Sequence, residues 1–471
     1  MKKMKKIIKI NLLSLAIGMA AVSSCSNDFV EREFFQDVEQ APLKTVNEVQ
    51  SFINGCYSTM RGTSYYGADF LAYAEIRSDE MYSNLAGGYY QNVMNYTQLS
   101  NDAYAVNTYN AIYTMIAKAN TVINTDMTKI EGTDLDRKNA AYAQGQAYGL
   151  RAIGFFDAFR LYGQKYIPNG TLGIVLPLKY DPKALQPRAT IAETEAQIDA
   201  DFTKALQLMT ANGSGSAAKT ELTVNSLKGM MARFYLYKGD YAKVRSLTND
   251  LVGKYSVAVS ALLQETFRFT MNGAAPNSIF ELAVGINSSL STGSYRHRLN
   301  PSGYANIVVT DAAYNMYSAN DIRRTFIVTS GGNRFLSSNR DAQGVGKYTN
   351  FVGADNIKML RYEEILLNGV EAELNGGDPA KALGYYNQII TNRGLTAVTS
   401  VNLTMLKAER LKELLGEGLR QWDLRRWGVT IARPDVANKD ENRNAFPIPR
   451  GETDIANTPV KPNPGYDNSG N

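Results

Sequence analysis

Apolar residues recur at intervals of three and four over most of the chain, and each such run predicts an amphipathic helix. Thr190 and Glu193 form a capping box ahead of Ile198, Phe202, Ala205 and Met209, which marks a helix start followed by one buried face. Upstream, Asp136 is placed to cap a long helix whose inner face is Ala143, Ala147, Leu150, Gly154, Ala158 and Leu161. Small side chains at that spacing let a neighbouring helix come close. Two helix–turn–helix units follow the same logic. One begins at Thr223, carries Leu227, Met230, Met231 and Phe234, and stops at Gly239; Asp240 caps the next helix, with Val244, Leu247 and Leu251 as its face. The other carries Tyr362, Ile365, Leu366, Gly369, Val370 and Leu374 and ends at Gly376-Gly377. It restarts at Asp378, with Pro379 in the first turn, where a missing N–H costs little.

Two regions lack a long helical period. Residues 61–105 are rich in Tyr, Gly and Asn, and residues 255–356 in Gly, Ser and Asn. In the second, FELAV alternates Phe280, Leu282 and Val284, which predicts one strand. The tail AFPIPRGETDIANTPVKPNPGY carries five prolines and reads as an extended strap within residues 433–471. The segment KGDYAKV resembles the turn of tetratricopeptide repeats. The fold expected is mainly α: tetratricopeptide-like helix pairs form a scaffold, with a loop-rich ligand-binding face and a few short strands. Loops on such a scaffold are where binding residues concentrate.

Both tryptophans, Trp422 and Trp427, fall in ERLKELLGEGLRQWDLRRWG. Read as one helix, Leu411, Leu414, Leu415, Leu419 and Trp422 share a face. Glu417 with Arg420, Arg420 with Asp423, and Asp423 with Arg426 are three apart and can pair on the polar side. The expectation is a helix docked into the core and charged outside, with the tryptophans as structural anchors.

The N-terminal MKKMKKIIKINLLSLAIGMAAVSSC has a lysine-rich start, a short apolar run and small residues before Cys25, so residues 1–24 read as a secretory signal peptide. A cysteine at that point resembles a bacterial lipobox, with Val22 where leucine is more usual, and Cys25 is the expected lipidation site. The acidic residues that follow resemble a surface-export signal. All five leader lysines are lost with the leader, which leaves 45 basic and 45 acidic residues. Net charge therefore gives no support for nucleic-acid binding. With Cys25 acylated, Cys56 has no disulfide partner and reads as a small buried hydrophobe. The single histidine, His297, excludes multi-histidine metal sites and reads as a solvated loop residue. No nucleotide-binding, HExxH or GxSxG motif occurs, so no cofactor, metal or catalytic residue is expected. A two-carboxylate glycosidase is not excluded by counting, because carboxylates are plentiful.

RYEEILLNGVEAEL, ERLKELLGEGLRQWDLRRWG, AFPIPRGE and PNPGY occur in order after RAIGFFDAFRLYG and the lipobox. This combination resembles the SusD/RagB family of outer-membrane nutrient-binding lipoproteins, from Cys25 to the C-terminus, as a single domain over residues 25–471. The resemblance implies a lipid-anchored protein at the outer-membrane surface. It would capture glycan, or in some members peptide, and pass it to a TonB-dependent barrel of the SusC/RagA type.

With both tryptophans assigned to the fold, tyrosines must form the ligand face. Tyr65, Tyr66, Tyr82, Tyr89 and Tyr90, with Asn92, come from the first loop region, and Tyr295, Arg296 and Tyr304 from the second. Flat rings suit the apolar faces of sugars, and the amide and guanidinium suit hydroxyls. The leading reading is a non-enzymatic glycan receptor. The alternatives are a peptide receptor of the same family, a surface glycosidase and a purely structural tetratricopeptide scaffold.

Overall fold

The computed structural model describes residues 42–179, 181, 184–213, 218–338, 345–350, 352–430 and 440–466. The signal peptide, Cys25 and the first part of the strap (433–439) lie outside the described residues. Helix α1 (Val46–Met60) starts from a capping box in which Thr45 Oγ1 accepts from Glu48 N at 3.2 Å and the Glu48 carboxylate accepts from Thr45 N at 3.1 Å. It buries Val49, Ile53, Cys56 and Met60. The Cys56 thiol meets the Met115 carbonyl at 3.6 Å and is pushed up to about 12 by burial. Helix α2 (Asp69–Ile76) falls in the region where periodicity left no helix. All eight of its residues are buried, so it has no polar face for a periodicity reading to find.

Helices α3 (Ala103–Ile123), α4 (Asp134–Tyr162) and α5 (Ile191–Asn212) form the centre of the scaffold, with α4 packed on α1, α3 and α5. The cap of α4 is Thr133, not Asp136. Asp136 sits three residues on and completes the box, accepting from Thr133 N at 2.7 Å. The predicted small-residue face is buried. A Cβ on Gly154 would lie 2.5 Å from Met115 Cε and 2.9 Å from Ile116 Cγ1, so α3 can approach only because that position is glycine. Helix α5 starts at the Thr190–Glu193 box and buries Ile198, Phe202, Ala205 and Met209 as expected.

The helix pairs α6 (Val224–Lys238) with α7 (Tyr241–Leu251), and α8 (Tyr362–Leu374) with α9 (Pro379–Thr391), also form where the sequence places them. Asp240 and Asp378 cap the second helix of each pair. Among the described residues there are six short strands, in chain order β1 (Met81–Ser83), β2 (Ser278–Leu282), β3 (Ile307–Val309), β4 (Val328–Ser330), β5 (Asn333–Phe335) and β6 (Ile357–Arg361). They pair antiparallel as β1–β3, β2–β6 and β4–β5. The predicted FELAV strand is β2. It is buried on both faces and ends before Val284, with a register shift against β6.

ERLKELLGEGLRQWDLRRWG is not one helix. Helix α10 (Leu403–Leu414) ends, and α11 (Arg420–Arg426) begins, on either side of Gly416 (φ 78°) and Gly418 (φ 77°). These left-handed residues turn three backbone N–H groups onto the buried Glu75 carboxylate, from Gly416 (3.3 Å), Gly418 (2.5 Å) and Leu419 (3.2 Å). Nor are the charges outside. Only Asp423–Arg426 pairs as predicted (2.9 Å); Arg420 turns to Asp79 (2.7 Å), and Glu417 to Arg361 and Lys347 (2.7 and 2.6 Å). Through Arg361, Glu417 belongs to an interior network in which Glu413 meets Arg393, Arg361 and Arg323. Trp422 is buried against Phe70, with ring centroids 6.0 Å apart, and donates to the Gly418 carbonyl at 3.1 Å. Trp427 is half-buried and donates to Glu371 at 2.9 Å.

The described part of the strap lies on the end of α4. Phe446 N donates to the Leu161 carbonyl (2.7 Å), and Asn463 Nδ2 donates to the carbonyls of Tyr162 (2.8 Å) and Phe446 (2.7 Å). Short helical turns at Glu441–Asn444 and Arg450–Thr453, a turn in which Thr458 N donates to the Ile455 carbonyl (3.0 Å), and another at Gly465 interrupt extended stretches around the prolines. Among the described residues, no helix is long and apolar enough to cross a membrane.

Candidate ligand-binding site

The β1–β3 ladder joins the two loop-rich regions. Met81 pairs with Val309, Tyr82 with Val308 and Ser83 with Ile307; the Asn84 side chain then reaches the Ala305 carbonyl at 2.7 Å. The loop after β1 is tight, with Leu85, Gly87, Gly88 and Tyr90 all at positive φ. The Ser83 hydroxyl closes it, donating to the Tyr89 carbonyl (2.9 Å) and accepting from Leu85 N (3.2 Å).

This geometry sets Tyr89 against Tyr304, with ring centroids 4.5 Å apart and planes inclined by 32°. Both rings are partly exposed. The interaction between the two phenols raises that of Tyr89 and lowers that of Tyr304. Arg298 packs beside the pair, its guanidinium carbon 4.9 Å from the Tyr89 ring and 4.8 Å from that of Tyr304. His297 meets Tyr304 edge-on at 4.7 Å. The histidine is buried, not solvated: the turn Tyr295–Arg298 folds it under the Tyr304 loop. Burial and the flanking arginines lower its pKa, so the neutral ring is favoured.

Beneath the pair, Arg298 Nε donates to Tyr90 Oη (3.1 Å), which donates to Asp69 Oδ1 (2.6 Å). Burial raises the Asp69 carboxyl to about 6 against the pull of Tyr90 and Arg298. This chain fixes the guanidinium from below.

Four of the tyrosines singled out in the sequence are core residues and present no open ring face. Tyr65 and Tyr66 both donate to the buried carboxylate of Asp157, the second at 2.8 Å. Tyr90 serves Asp69, and the Tyr295 ring packs edge-on against Tyr348 at 5.9 Å. For Tyr65, Tyr66 and Tyr90 the reason is common: a phenol can bury its ring once its hydroxyl finds a partner. The buried Tyr295 hydroxyl meets none among the described residues. Tyr82 is half-buried on β1. Asn92 is exposed and bound to Asp102 at 3.3 Å. Arg296 is buried, donates to the Thr349 carbonyl at 3.2 Å and is lowered to about 10 by burial.

Tyr66, Tyr295 and Arg296 do come together, along a cleft of about 560 Å³ completed by Tyr348, Asp355 and Lys358. Burial raises the Asp355 carboxyl to about 6. Leu290 and Ser294 wall this cleft, while Thr292 between them bonds Tyr304, so cleft and tyrosine pair share one loop. Arg298 and Tyr348 were not singled out from the sequence. For Arg298 a signal was present, the run YRHR one turn long, which stacks cations beside the loop tyrosines. Among the described residues, no group of three or more His, Cys, Asp or Glu could hold a metal ion.

A family model described as "Starch-binding associating with outer membrane" matches residues 33–236, and one described as "SusD family" matches residues 329–460. The SusD-like protein P38 of Formosa agariphila is 22% identical over 92% of this chain and 93% of its own. A SusD superfamily protein from Bacteroides vulgatus is 26% identical, with a TM-score of 0.80 over 90% of this chain and all of its own. The surface glycan-binding protein A from Bacteroides fluxus is 20% identical, with a TM-score of 0.72 over 90% of this chain and all of its own.

Proposed function

Because the chain belongs to the SusD/RagB family, we propose that it is a surface receptor that captures oligosaccharide and delivers it to a SusC-like TonB-dependent barrel. The observation that carries this reading is the Tyr89–Tyr304 pair, held from the side by Arg298. Two partly exposed phenol rings suit the C–H faces of pyranose rings, and their hydroxyls can exchange hydrogen bonds with ring hydroxyls, while the buried Arg298 fixes both rings from the side. The family description as starch-binding at the outer membrane and the similarity in fold to a glycan-binding surface protein support the same ligand class. Cys25 is the proposed anchor, acylated after removal of residues 1–24 and holding the protein on the outer membrane. No catalytic step is part of the proposal.

A second reading, a peptide ligand, rests on the neighbouring cleft. Its lining mixes Leu71, Leu290 and Ile357 with Asp355 and Lys358, which suits a chain of alternating apolar and charged groups. Screening a soluble form that begins after Cys25 against oligosaccharide and peptide panels separates the two. Saturable glycan binding supports the first reading, and peptide binding alone transfers the site to the second. Binding to neither class contradicts both.

A further inference from the structure

Among the described residues, seven arginines of low exposure grip a carboxylate with the same two donors, Nε and Nη2: Arg323 on Asp321, Arg361 on Glu417, Arg393 on Glu413, and four more. Arg151 holds Asp201 at 2.8 and 2.7 Å, and Arg233 holds Glu364 at 2.7 and 2.6 Å. Arg410 holds Asp423 at 2.8 and 3.1 Å, and Arg420 holds Asp79 at 2.7 and 2.8 Å. Arg425 departs from this pattern. It is only 5% exposed, yet its Nε and Nη2 meet no acceptor among the described residues; Nη1 alone is used, on the Arg160 carbonyl at 3.2 Å.

Arg77 borders the same space. It is 1% exposed and gives Nη2 to the Arg443 carbonyl, while Nε and Nη1 meet no acceptor. Neither arginine forms an ion pair with any described Asp or Glu. Contacts place them in one neighbourhood: Arg425 bonds the Arg160 carbonyl, the next carbonyl, Leu161, accepts from Phe446 N, and Arg77 lies over the Phe446 ring; the charge of Arg77 also acts on Arg425. Burial, then repulsion from Arg77, lowers Arg425 to about 10. Gln421, one turn before Arg425 on α11, is fully buried and also leaves both amide atoms without a partner.

Aromatic rings do not resolve the arrangement. The Arg77 guanidinium carbon lies 3.8 Å from the Tyr96 ring centre and 4.9 Å from that of Phe446, and Arg425 lies 5.2 Å from Trp422. Such contacts stabilise the charge through the guanidinium faces. They offer nothing to the N–H groups that point out of its edges. Two adjacent cations, both out of water and with open donors, need an anion with several acceptor oxygens.

We propose that Arg425 and Arg77 close on one small inorganic oxyanion of the sulfate or phosphate class, buried between α11 and the C-terminal strap. The Nε and Nη2 edge of Arg425 supplies the same fork that holds carboxylates elsewhere in the molecule, and Arg77 completes the cage from α2's C-terminal end. The anion thereby ties the strap residues Arg443, Phe446 and Tyr466 to the scaffold.

The test counts anions. Purified, desalted protein is acid-denatured and the released ions are identified by ion chromatography; a refolded, anion-depleted sample is titrated with sulfate and with phosphate by calorimetry. One equivalent released, or one saturable site regained, is expected, and the ion recovered tells sulfate from phosphate. Arg425→Gln should lower the stoichiometry at least tenfold, while Arg137→Gln on the surface leaves it unchanged. Neither release nor saturable uptake in the parent protein, or full stoichiometry in R425Q, overturns the proposal. Should R425Q fail to fold, parent crystals grown with selenate decide it: an anomalous peak between the two guanidinium groups supports the site, and its absence overturns it.

Discussion

Tyr89 and Tyr304 stack with ring centroids 4.5 Å apart although they come from opposite halves of the chain. Their meeting depends on three residue pairs of the β1–β3 ladder and on the chain of contacts from Arg298 through Tyr90 to Asp69. The helical scaffold contributes little to the platform's surface and nearly everything to its rigidity: Asp69 sits on α2, which is itself held by Glu75 to the turn at Gly416–Leu419.

Trp422 belongs to that support. Trp422→Ala should destabilise the fold by about 3–5 kcal/mol, the range for truncating a buried large aromatic. Phe70, Arg160 and Arg425 would each lose a packing surface. Ligand affinity of the protein that remains folded should be unchanged. Denaturant unfolding with a parallel binding assay checks both; unchanged stability with lost binding would make Trp422 a ligand contact.

Glu413 is the centre of the buried charge network, with Arg393 at 2.8 Å, Arg323 at 2.9 Å and Arg361 at 3.1 Å. Those guanidinium groups hold its carboxyl well below the usual range despite burial. Glu413→Gln should cost about 3–5 kcal/mol, because it leaves cations underpaired in the interior. The sign with pH follows. A depressed folded pKa contributes stability that is present above the unfolded value and lost as pH falls through the folded one. The parent should therefore lose stability faster than the variant on acidification below about pH 4.

Asp355 has the opposite sign. Its carboxyl is raised to about 6 by burial in the cleft wall. Between the unfolded value near 3.9 and about 6, the folded state holds a proton that the unfolded state has released. Stability from this group is then gained as pH falls from 7.5 towards 4.5, by up to about 2–3 kcal/mol. Asp355→Asn should flatten that part of the profile. Equal pH slopes for parent and variant in urea titrations would refute the assignment.

Much of the scaffold was legible because its signals are local. The Thr190–Glu193 box, the Asp240 and Asp378 caps and the proline strap each depend on residues within a few positions of one another. What failed depends on distant partners. Glu417, Arg420 and Asp423 are spaced as a solvated helix face would be, yet Arg361, Lys347 and Arg410 meet Glu417 and Asp423 in the interior, and Arg420 turns away to Asp79. Tyr65, Tyr66 and Tyr90 look like loop aromatics until Asp157 and Asp69 bind their hydroxyls. Of the tyrosines proposed from loop position, the pair left partly exposed and stacked could not be told from the buried ones without the β1–β3 register.

Calorimetry of Tyr89→Ala/Tyr304→Ala with an oligosaccharide bound by the parent tests the tyrosine platform most directly. Parent affinity is expected in the millimolar to tens-of-micromolar range, about 4–7 kcal/mol. The double variant should bind at least tenfold more weakly, a loss of about 1.4 kcal/mol or more, with an unchanged thermal midpoint, because truncating partly exposed rings leaves no buried cavity. Parent affinity in a normally folded double variant would contradict it.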